Sequence, residues 1–274
     1  MAPEQTTKRA VRLTKSHYAG IAFALVVLTC TYAGARLREA GRRTSCLCNI
    51  ANLSLALMNY ETSYGCFPPA FIADSQGRPM DSWRVLILPY LDRADLYERY
   101  RFDEPWDGPN NIKLLDEMPR VFACPSHAPG ARASAGIRQQ GGIGRLAGAF
   151  ACGSAVPSER ARRRFTSYAA VFGPHCMFRG PTPVALSDVR DGLGATLLIG
   201  EVTDANIPWT KPEDIDIGQH PRLGDRMGFS SEHNAGVNFG LADGRPRCIR
   251  LDTPQRILDA LYTREGGETI PGDF

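Results

Sequence analysis

The chain is poor in net charge. Its 32 Lys and Arg stand against 29 Asp and Glu, leaving +3 over 274 residues, so the total implies no general affinity for nucleic acid. The arginines cluster at Arg36–Arg43 and Arg160–Arg164, yet no aromatic run interleaves with either cluster, as a single-strand binder needs. They read as a membrane-flanking group and a solvated loop, and no nucleic-acid partner is expected. Catalytic and metal signatures are equally scarce. No Gly-x-Ser-x-Gly occurs, so a serine hydrolase would lack its nucleophile elbow. Cys124-x-x-His127 has the spacing of half a zinc site, but no second Cys-x-x-Cys or His-x-x-x-His pair accompanies it. Cys46-x-Cys48 on a helix would point its thiols to different faces. Asp188, Asp191, Glu201 and Asp204 offer carboxylates for calcium without an EF-hand loop. Gly141-Gly142-Ile143-Gly144 lacks the flanking strand and helix of a phosphate loop. No cofactor, no metal and no enzyme activity are expected.

What the chain does have is one long uncharged run. Tyr18–Ala35 (YAGIAFALVVLTCTYAGA) holds eighteen residues without a charge, about 27 Å as a helix, just sufficient for a hydrocarbon core. Lys8, Arg9, Arg12 and Lys15 precede it, as in a signal sequence. Ala33-Gly34-Ala35 supplies the small residues of a cleavage point, so a cleaved signal peptide is the competing reading. The run is long for that, and the sequence continues as helix. An uncleaved signal-anchor over 17–36 is therefore preferred, after a cytoplasmic tail of 1–16. Arg36, Arg38, Arg42 and Arg43 follow it, so the positive-inside rule gives no decision. A cytoplasmic tail with the folded part exported is the simpler arrangement, placing a single-pass protein in the cell membrane with its globular part outside.

Cysteine use agrees only weakly with export, and a reduced protein with incidental thiols fits nearly as well. Cys30 lies in the run, leaving Cys46, Cys48, Cys66, Cys124, Cys152, Cys176 and Cys248. That number is odd, so at least one stays unpaired if the others form intramolecular bridges, and connectivity is not readable from sequence.

Beyond the run, Cys46, Ile50, Leu53, Leu57, Tyr60 and Tyr64 recur at three- and four-residue steps, one apolar stripe on a helix. Gly65 is a natural C′ residue and Pro68-Pro69 prevents continuation. One helix over 17–64 is predicted, its first half in lipid and its second half on a globular domain of 37–274; the competing reading is an anchor followed by a separate amphipathic helix, with a break at Gly41. Residues 82–100 read as two short helices divided near Pro89. Asn110 is a cap candidate for a helix through Glu117, and Val121–Cys124 a short strand. Ser126–Arg164, rich in Gly, Ala and Arg, reads as a flexible, irregular insertion. Ser167–Phe172, Thr196–Val202 and 237–249 supply strands. Val237, Phe239 and Leu241 alternate with Asn238, Gly240 and Ala242, putting the bulk on one face. Asp243-Gly244 signals a type I′ turn, and Pro246 demotes the return strand to an edge. Thr253 caps a last helix with Pro254 at N1. The fold class is α+β, a long N-terminal helix across a mainly antiparallel sheet.

Ser230–Leu251 (SSEHNAGVNFGLADGRPRCIRL) also carries His233, nine residues, then Asp243-Gly244. That spacing resembles the C-terminal signature of the prepilin-type processing-associated family, domain of unknown function 1559. Cys46–Tyr64 looks like the family's Cys-x-Asn-Asn-Leu-x-x-x-x-Leu-Ala-x-x-x-Tyr helix through Cys46, Leu53, Leu55, Ala56 and Tyr60. Phe67-Pro68-Pro69, Trp83-Arg84-Val85-Leu86, Leu88-Pro89-Tyr90-Leu91, Asn110 and Cys124-Pro125-Ser126 follow in order. Tyr168, Gly173, Asp191-Gly192, Thr196 and Glu201 continue the series. Thr263-Arg264-Glu265-Gly266-Gly267-Glu268 resembles its closing Thr-Arg-x-Gly-Gly-Glu. The resemblance spans about 40–270 and implies a pilin-like or pseudopilin-like protein with a structural or assembly role. Its partners would be the bilayer, through 17–36, and other pseudopilin-like or secretion components. It marks His233, Asp243, Gly244, Arg264, Gly266, Gly267 and Glu268 as structural motif residues, and Cys46 and Cys124 as candidate disulfide cysteines.

The N-terminus departs from the family pattern. Gly20 is followed by Ile-Ala-Phe-Ala-Leu, and the run contains no Glu. Family members place a Glu there to neutralise a neighbouring subunit's amine, so its absence argues against processing and polymerisation. Among the polar candidates His233, Asp243, Asp191 and Glu201, the first two bracket a strand and would lie about 30 Å apart along extended chain. His233 is expected to fix the strand's start and Asp243 to serve the turn. An exported ligand-binding module using the insertion and hairpin face is the alternative, and a hydrolase the least favoured.

Overall fold

In the computed structural model the described residues are 15–126, 164–233, 236–268 and 270, with the side chains of 15–19, 21 and 22 outside that set. The expected N-terminal tail, but for 15–16, and residues 127–163 of the expected insertion lie outside the described residues. The chain divides into two units, Met1–Gly41 and Arg42–Phe274. Helix α1 (Lys15–Tyr64) begins in the first and ends in the second. In the first unit Phe23, Leu25, Val26, Val27, Leu28 and Tyr32 are all exposed. Among the described residues, no helix is long and apolar enough to cross a membrane. The uncharged run starts on side chains outside that set.

In the second unit the stripe on α1 is core. Cys46, Ile50, Leu53 and Leu57 are fully buried, Tyr60 packs on the same cluster, and only Tyr64 is exposed. Gly65, with φ +73°, ends the helix in the left-handed region, where its lack of a side chain removes the steric penalty. A hairpin not anticipated from sequence follows, β1 (Phe71–Ala73) against β2 (Pro79–Ser82). Then come α2 (Trp83–Leu86), a 3₁₀ turn over Leu88–Leu91 with Pro89 at its start, and α3 (Ala94–Arg99).

The helix expected from Asn110 and the strand expected at Val121–Cys124 are instead 3₁₀ turns, Asn111–Glu117 and Arg120–Phe122. The reason is competition for their polar groups. The backbone N–H groups of Asn110 and Asn111 both donate to Glu104 Oε1, at 2.8 and 2.7 Å, and Asn110 Nδ2 donates to Glu104 Oε2 at 3.1 Å, so the Asn110 side chain is engaged and makes no cap bond. Cys124 N–H donates to Ser167 Oγ at 3.0 Å, and Ser167 N–H to Phe122 C=O at 2.8 Å. These bonds fasten the segment to the start of the next strand without a ladder.

The main sheet comprises β3 (Tyr168–Phe172), β4 (Leu197–Glu201), β5 (Ile215–Asp216), β6 (Val237–Leu241) and β7 (Pro246–Ile249). Their spatial order is β5-β3-β4-β6-β7, with only the β3–β5 pair parallel. The architecture is therefore α+β with a mixed, mainly antiparallel sheet. Pro246 sits in an edge strand, where its missing N–H costs no ladder bond. Helix α4 (Gln255–Tyr262) begins one residue later than expected, with Pro254 in the cap position and no side-chain cap.

Both faces of this sheet are buried, where the alternation in β6 had suggested bulk on one. Val237, Phe239 and Leu241 join Phe229, Leu258, Leu261 and Tyr262 in one cluster. Ala242, Tyr168, Ala170 and Ile199 join the α1 stripe in the other. Gly240 lets α1 come close: a Cβ there would collide with Ser54 Oγ and lie 3.2 Å from Ile50 Cγ2. The hairpin turn also differs from a type I′ turn. Only Gly244 has positive φ, +85°, and its N–H donates to Leu241 C=O at 2.9 Å. That is the pattern of a three-residue loop closed by a glycine bulge, where one left-handed residue suffices.

A fully buried ion pair joins α2 to the sheet. Arg84 Nη2 donates to Asp214 Oδ1 at 2.6 Å, and Trp83 Nε1 and Ala170 N–H also donate to that carboxylate. Burial pushes the Asp214 carboxyl up and the Arg84 guanidinium down, while their pairing opposes both shifts. Removing one partner of such a pair costs about 3–5 kcal/mol, because the other charge is left buried alone.

Candidate functional site

Four chain segments converge where α1 crosses the sheet. Cys46 lies on the buried stripe of α1, and Cys124 follows the 3₁₀ turn that Ser167 fastens to β3. Glu201 ends β4, and His233 precedes β6. Cys46 and Cys124 form a disulfide with a Cα–Cα distance of 5.4 Å across 78 residues of sequence. Beside it, α1 makes a second tie to the same segment, Asn49 Nδ2 donating to Ala123 C=O at 3.0 Å. Asn49 Nδ2 also lies 3.3 Å from Tyr168 OH, and burial raises the pKa of that phenol.

His233 Nε2 lies 3.6 Å from Cys124 Sγ and 3.9 Å from Glu201 Oε1. Glu201 Oε2 accepts from Asn238 N–H at 3.1 Å and from Asn238 Nδ2 at 3.0 Å. Glu201 Oε1 has no hydrogen-bond partner among the described residues. All four residues are buried, Cys124 being the most exposed at 7%. A buried carboxylate oxygen without a donor is costly unless another group faces it. Here the group facing it is an imidazole, and beyond that a sulfur. One ligand atom from each of Cys46, Cys124, Glu201 and His233 falls within 4.8 Å of the others. Among the described residues this is the one group of three or more such side chains that could hold a metal ion. With the sulfurs joined, no thiol is available to His233, so the arrangement contains no Cys–His nucleophile.

The remaining candidate residues serve elsewhere. Asp243 accepts from its own turn, Arg245 N–H at 3.0 Å and Arg245 Nε at 2.7 Å. It stands at the far end of β6 from His233. Asp191 accepts from Gly266 N–H and Gly267 N–H, each at 2.7 Å, and Gly267 has φ +77°. Arg264 is buried and donates through Nη1 to Pro174 C=O at 3.2 Å and Cys176 C=O at 3.0 Å. Arg190 N–H and Asp191 N–H donate in turn to Arg264 C=O. The closing Thr-Arg-Glu-Gly-Gly-Glu block is thus a latch on the Asp191-Gly192 turn, with Glu268 folded over Gly266. Asp188 accepts from Ala185 N–H in its own turn. Asp188, Asp191, Glu201 and Asp204 are not gathered into a calcium set. His127 and Gly141–Gly144 lie outside the described residues.

Sequence reasoning missed Asn238, which supplies both donors to Glu201. Its signal was a polar residue inside β6, on the face opposite Phe239. The convergence of His233 on the cysteines was missed as well, because sequence spacing compared it only with Asp243.

The profile of the family described as "Protein of unknown function (DUF1559)" matches residues 35–221, about two thirds of the chain. The chain belongs to that family. No curated protein and no solved structure matches it. The matched stretch of this DUF1559 chain includes Cys46, Cys124, the Trp83-Arg84 pair and Glu201. It ends before His233, the Asp243-Gly244 turn and the closing latch.

Proposed function

We propose that this DUF1559 protein is a membrane-anchored, pilin-like protein whose globular unit faces outward and plays a structural or assembly role without catalysis. The Cys46–Cys124 disulfide carries the reading. It is buried, it ties the helix to the segment leading into the sheet, and bonds of this kind persist in oxidising compartments and are rare in the cytosol. Further support comes from the helix itself. A long N-terminal helix whose C-terminal half covers a mainly antiparallel sheet is the pilin arrangement that the resemblance implies. The uncharged run is the signal-anchor over 17–36, its exposed apolar side chains held in lipid. The protein works as an anchored unit beside pseudopilin-like or secretion components, and the run's lack of a Glu removes the usual device for filament assembly.

Protease added to spheroplasts tests this. Digestion of the globular unit, with a cytoplasmic control intact, is expected; equal protection of both contradicts outward exposure. N-terminal sequencing of the mature protein refines it. A start at Met1 or Ala2 means an anchor, one after Gly20 means prepilin-type cleavage, and one after Ala35 means a released soluble unit.

A second reading, an exported ligand-binding module, has one observation in its favour. A cleft of about 380 Å³ opens between Phe71, Pro79, Phe172, Asp216 and His220, within the size range of small-molecule sites. A thermal-shift screen on the full chain distinguishes the two, because a specific ligand raises the melting temperature by mass action.

A further inference from the structure

We propose that Cys46, Cys124, Glu201 and His233 form two mutually exclusive clamps: a disulfide when oxidised and, when reduced, a tetrahedral site for one thiophilic divalent cation such as Zn²⁺. The inference goes beyond the anchoring role and does not rest on it.

The geometry supports the second clamp. Zinc bonds of about 2.0–2.3 Å imply tetrahedral edges of about 3.3–3.8 Å. The Nε2–Sγ separation of 3.6 Å falls within that range, the Nε2–Oε1 separation of 3.9 Å lies just beyond it, and all four ligand atoms lie within 4.8 Å. Breaking the S–S bond frees the two sulfurs to move apart to the same spacing. The donor set of two thiolates, an imidazole and a carboxylate is a zinc set, softer than calcium or magnesium accept. Glu201 Oε1 is the second, independent sign: a buried carboxylate oxygen without a hydrogen bond among the described residues, 3.9 Å from His233 Nε2. Asn238 holds the other oxygen from behind through two N–H bonds, the outer-shell contact that orients a ligating carboxylate.

The two states exchange by a balanced reaction. A dithiol reductant transfers two electrons and two protons to the Cys46–Cys124 bond, giving two protein thiols and the donor's own disulfide. Zn²⁺ then displaces one proton from each thiol, since the thiolate is the ligand. In either state α1 stays fastened to the sheet. The covalent clamp joins two segments, and the metal clamp adds β4 and the residue leading into β6.

The test uses the full-length chain in detergent, oxidised or reduced under anaerobic conditions with a phosphine that does not bind metal. Zn²⁺ is titrated against a chromophoric chelator, and Co²⁺ is used as a spectroscopic substitute. The expected result is one equivalent bound by the reduced chain and none by the oxidised chain, with the absorption of tetrahedral thiolate-bound cobalt. His233→Gln and Glu201→Gln should each alter that spectrum and weaken binding, and Asn238→Ala should weaken it about tenfold. Three results overturn the proposal: no tetrahedral cobalt signal in the reduced wild type, a signal persisting in Cys46→Ser, or a signal unchanged in both His233→Gln and Glu201→Gln. The wild-type comparison between redox states needs no variant to fold.

Discussion

Along β6, Val237, Phe239 and Leu241 meet Phe229 and the α4 residues Leu258, Leu261 and Tyr262, whereas Asn238, Gly240 and Ala242 turn toward α1. The first face is filled by bulk: Phe229 and Phe239 have ring centroids 4.9 Å apart, and Phe229 and Tyr262 are stacked at 6.2 Å. The second face is held by small residues and specific bonds. Gly240 brings the helix close, Asn238 orients Glu201, and the disulfide closes the end. One strand thus supports two kinds of cohesion. Area and packing stabilise the α4 face, and a cross-link with a polar cluster fixes the α1 face. The chemistry sits on the face where side chains are small enough for four segments to converge.

Breaking each face in turn sharpens this contrast. The largest effect is expected from Phe239→Ala, about 3–5 kcal/mol lost in chemical denaturation, because it leaves a cavity beside the Phe229 ring. Replacing Cys46 and Cys124 together by Ala should cost about 2–4 kcal/mol, mainly by releasing a long loop in the unfolded chain. A reducing agent should destabilise wild type by a similar amount in metal-free buffer and leave the double variant unchanged. Gly240→Ala should cost about 1–3 kcal/mol through overpacking against Ser54 and Ile50, with the loss read as a lower denaturation midpoint. A Phe239→Ala loss no larger than that of Gly240→Ala would remove the contrast between the faces.

A smaller effect comes from Asp81, buried in β2. Burial lifts its carboxyl to about 6, although Tyr100 OH donates to it at 2.8 Å. The folded value is above the unfolded one of about 4, so the buried charge has no cost below pH about 4. The cost grows up to pH about 6 and stays constant above it. Asp81→Asn should therefore stabilise the protein by about 1–2 kcal/mol at pH 7.5 and make no difference at pH 4. Melting curves at the two pH values check the sign.

The sequence made the helix and the sheet class legible because their signals are local. The three- and four-residue stripe from Cys46 to Leu57 lies in the core, Gly65 ends the helix, and Pro246 marks an edge strand. The segment 110–124 reads differently in the fold because nearby Glu104 engages the Asn110 side chain and the first two N–H groups, while Ser167, 43 residues away, takes the Cys124 N–H that a strand ladder would use. The burial of both sheet faces was hidden for a related reason: Gly240 and Ala242 carry no apolar bulk to announce a partner. Asp191 gave no local sign that it would accept the amides of Gly266 and Gly267 from the far end of the chain. The cluster of Cys46, Cys124, Glu201 and His233 was least legible of all. Its members come from four separate segments, and only the fold makes them neighbours.

The most direct test of an exported, disulfide-stapled unit is thiol trapping in intact cells, followed by non-reducing peptide mapping of the full-length chain. The account predicts that the Cys46 and Cys124 peptides are recovered joined to each other in nearly all molecules. Recovery of both cysteines carrying the trapping reagent, as free thiols in the cell, would contradict it.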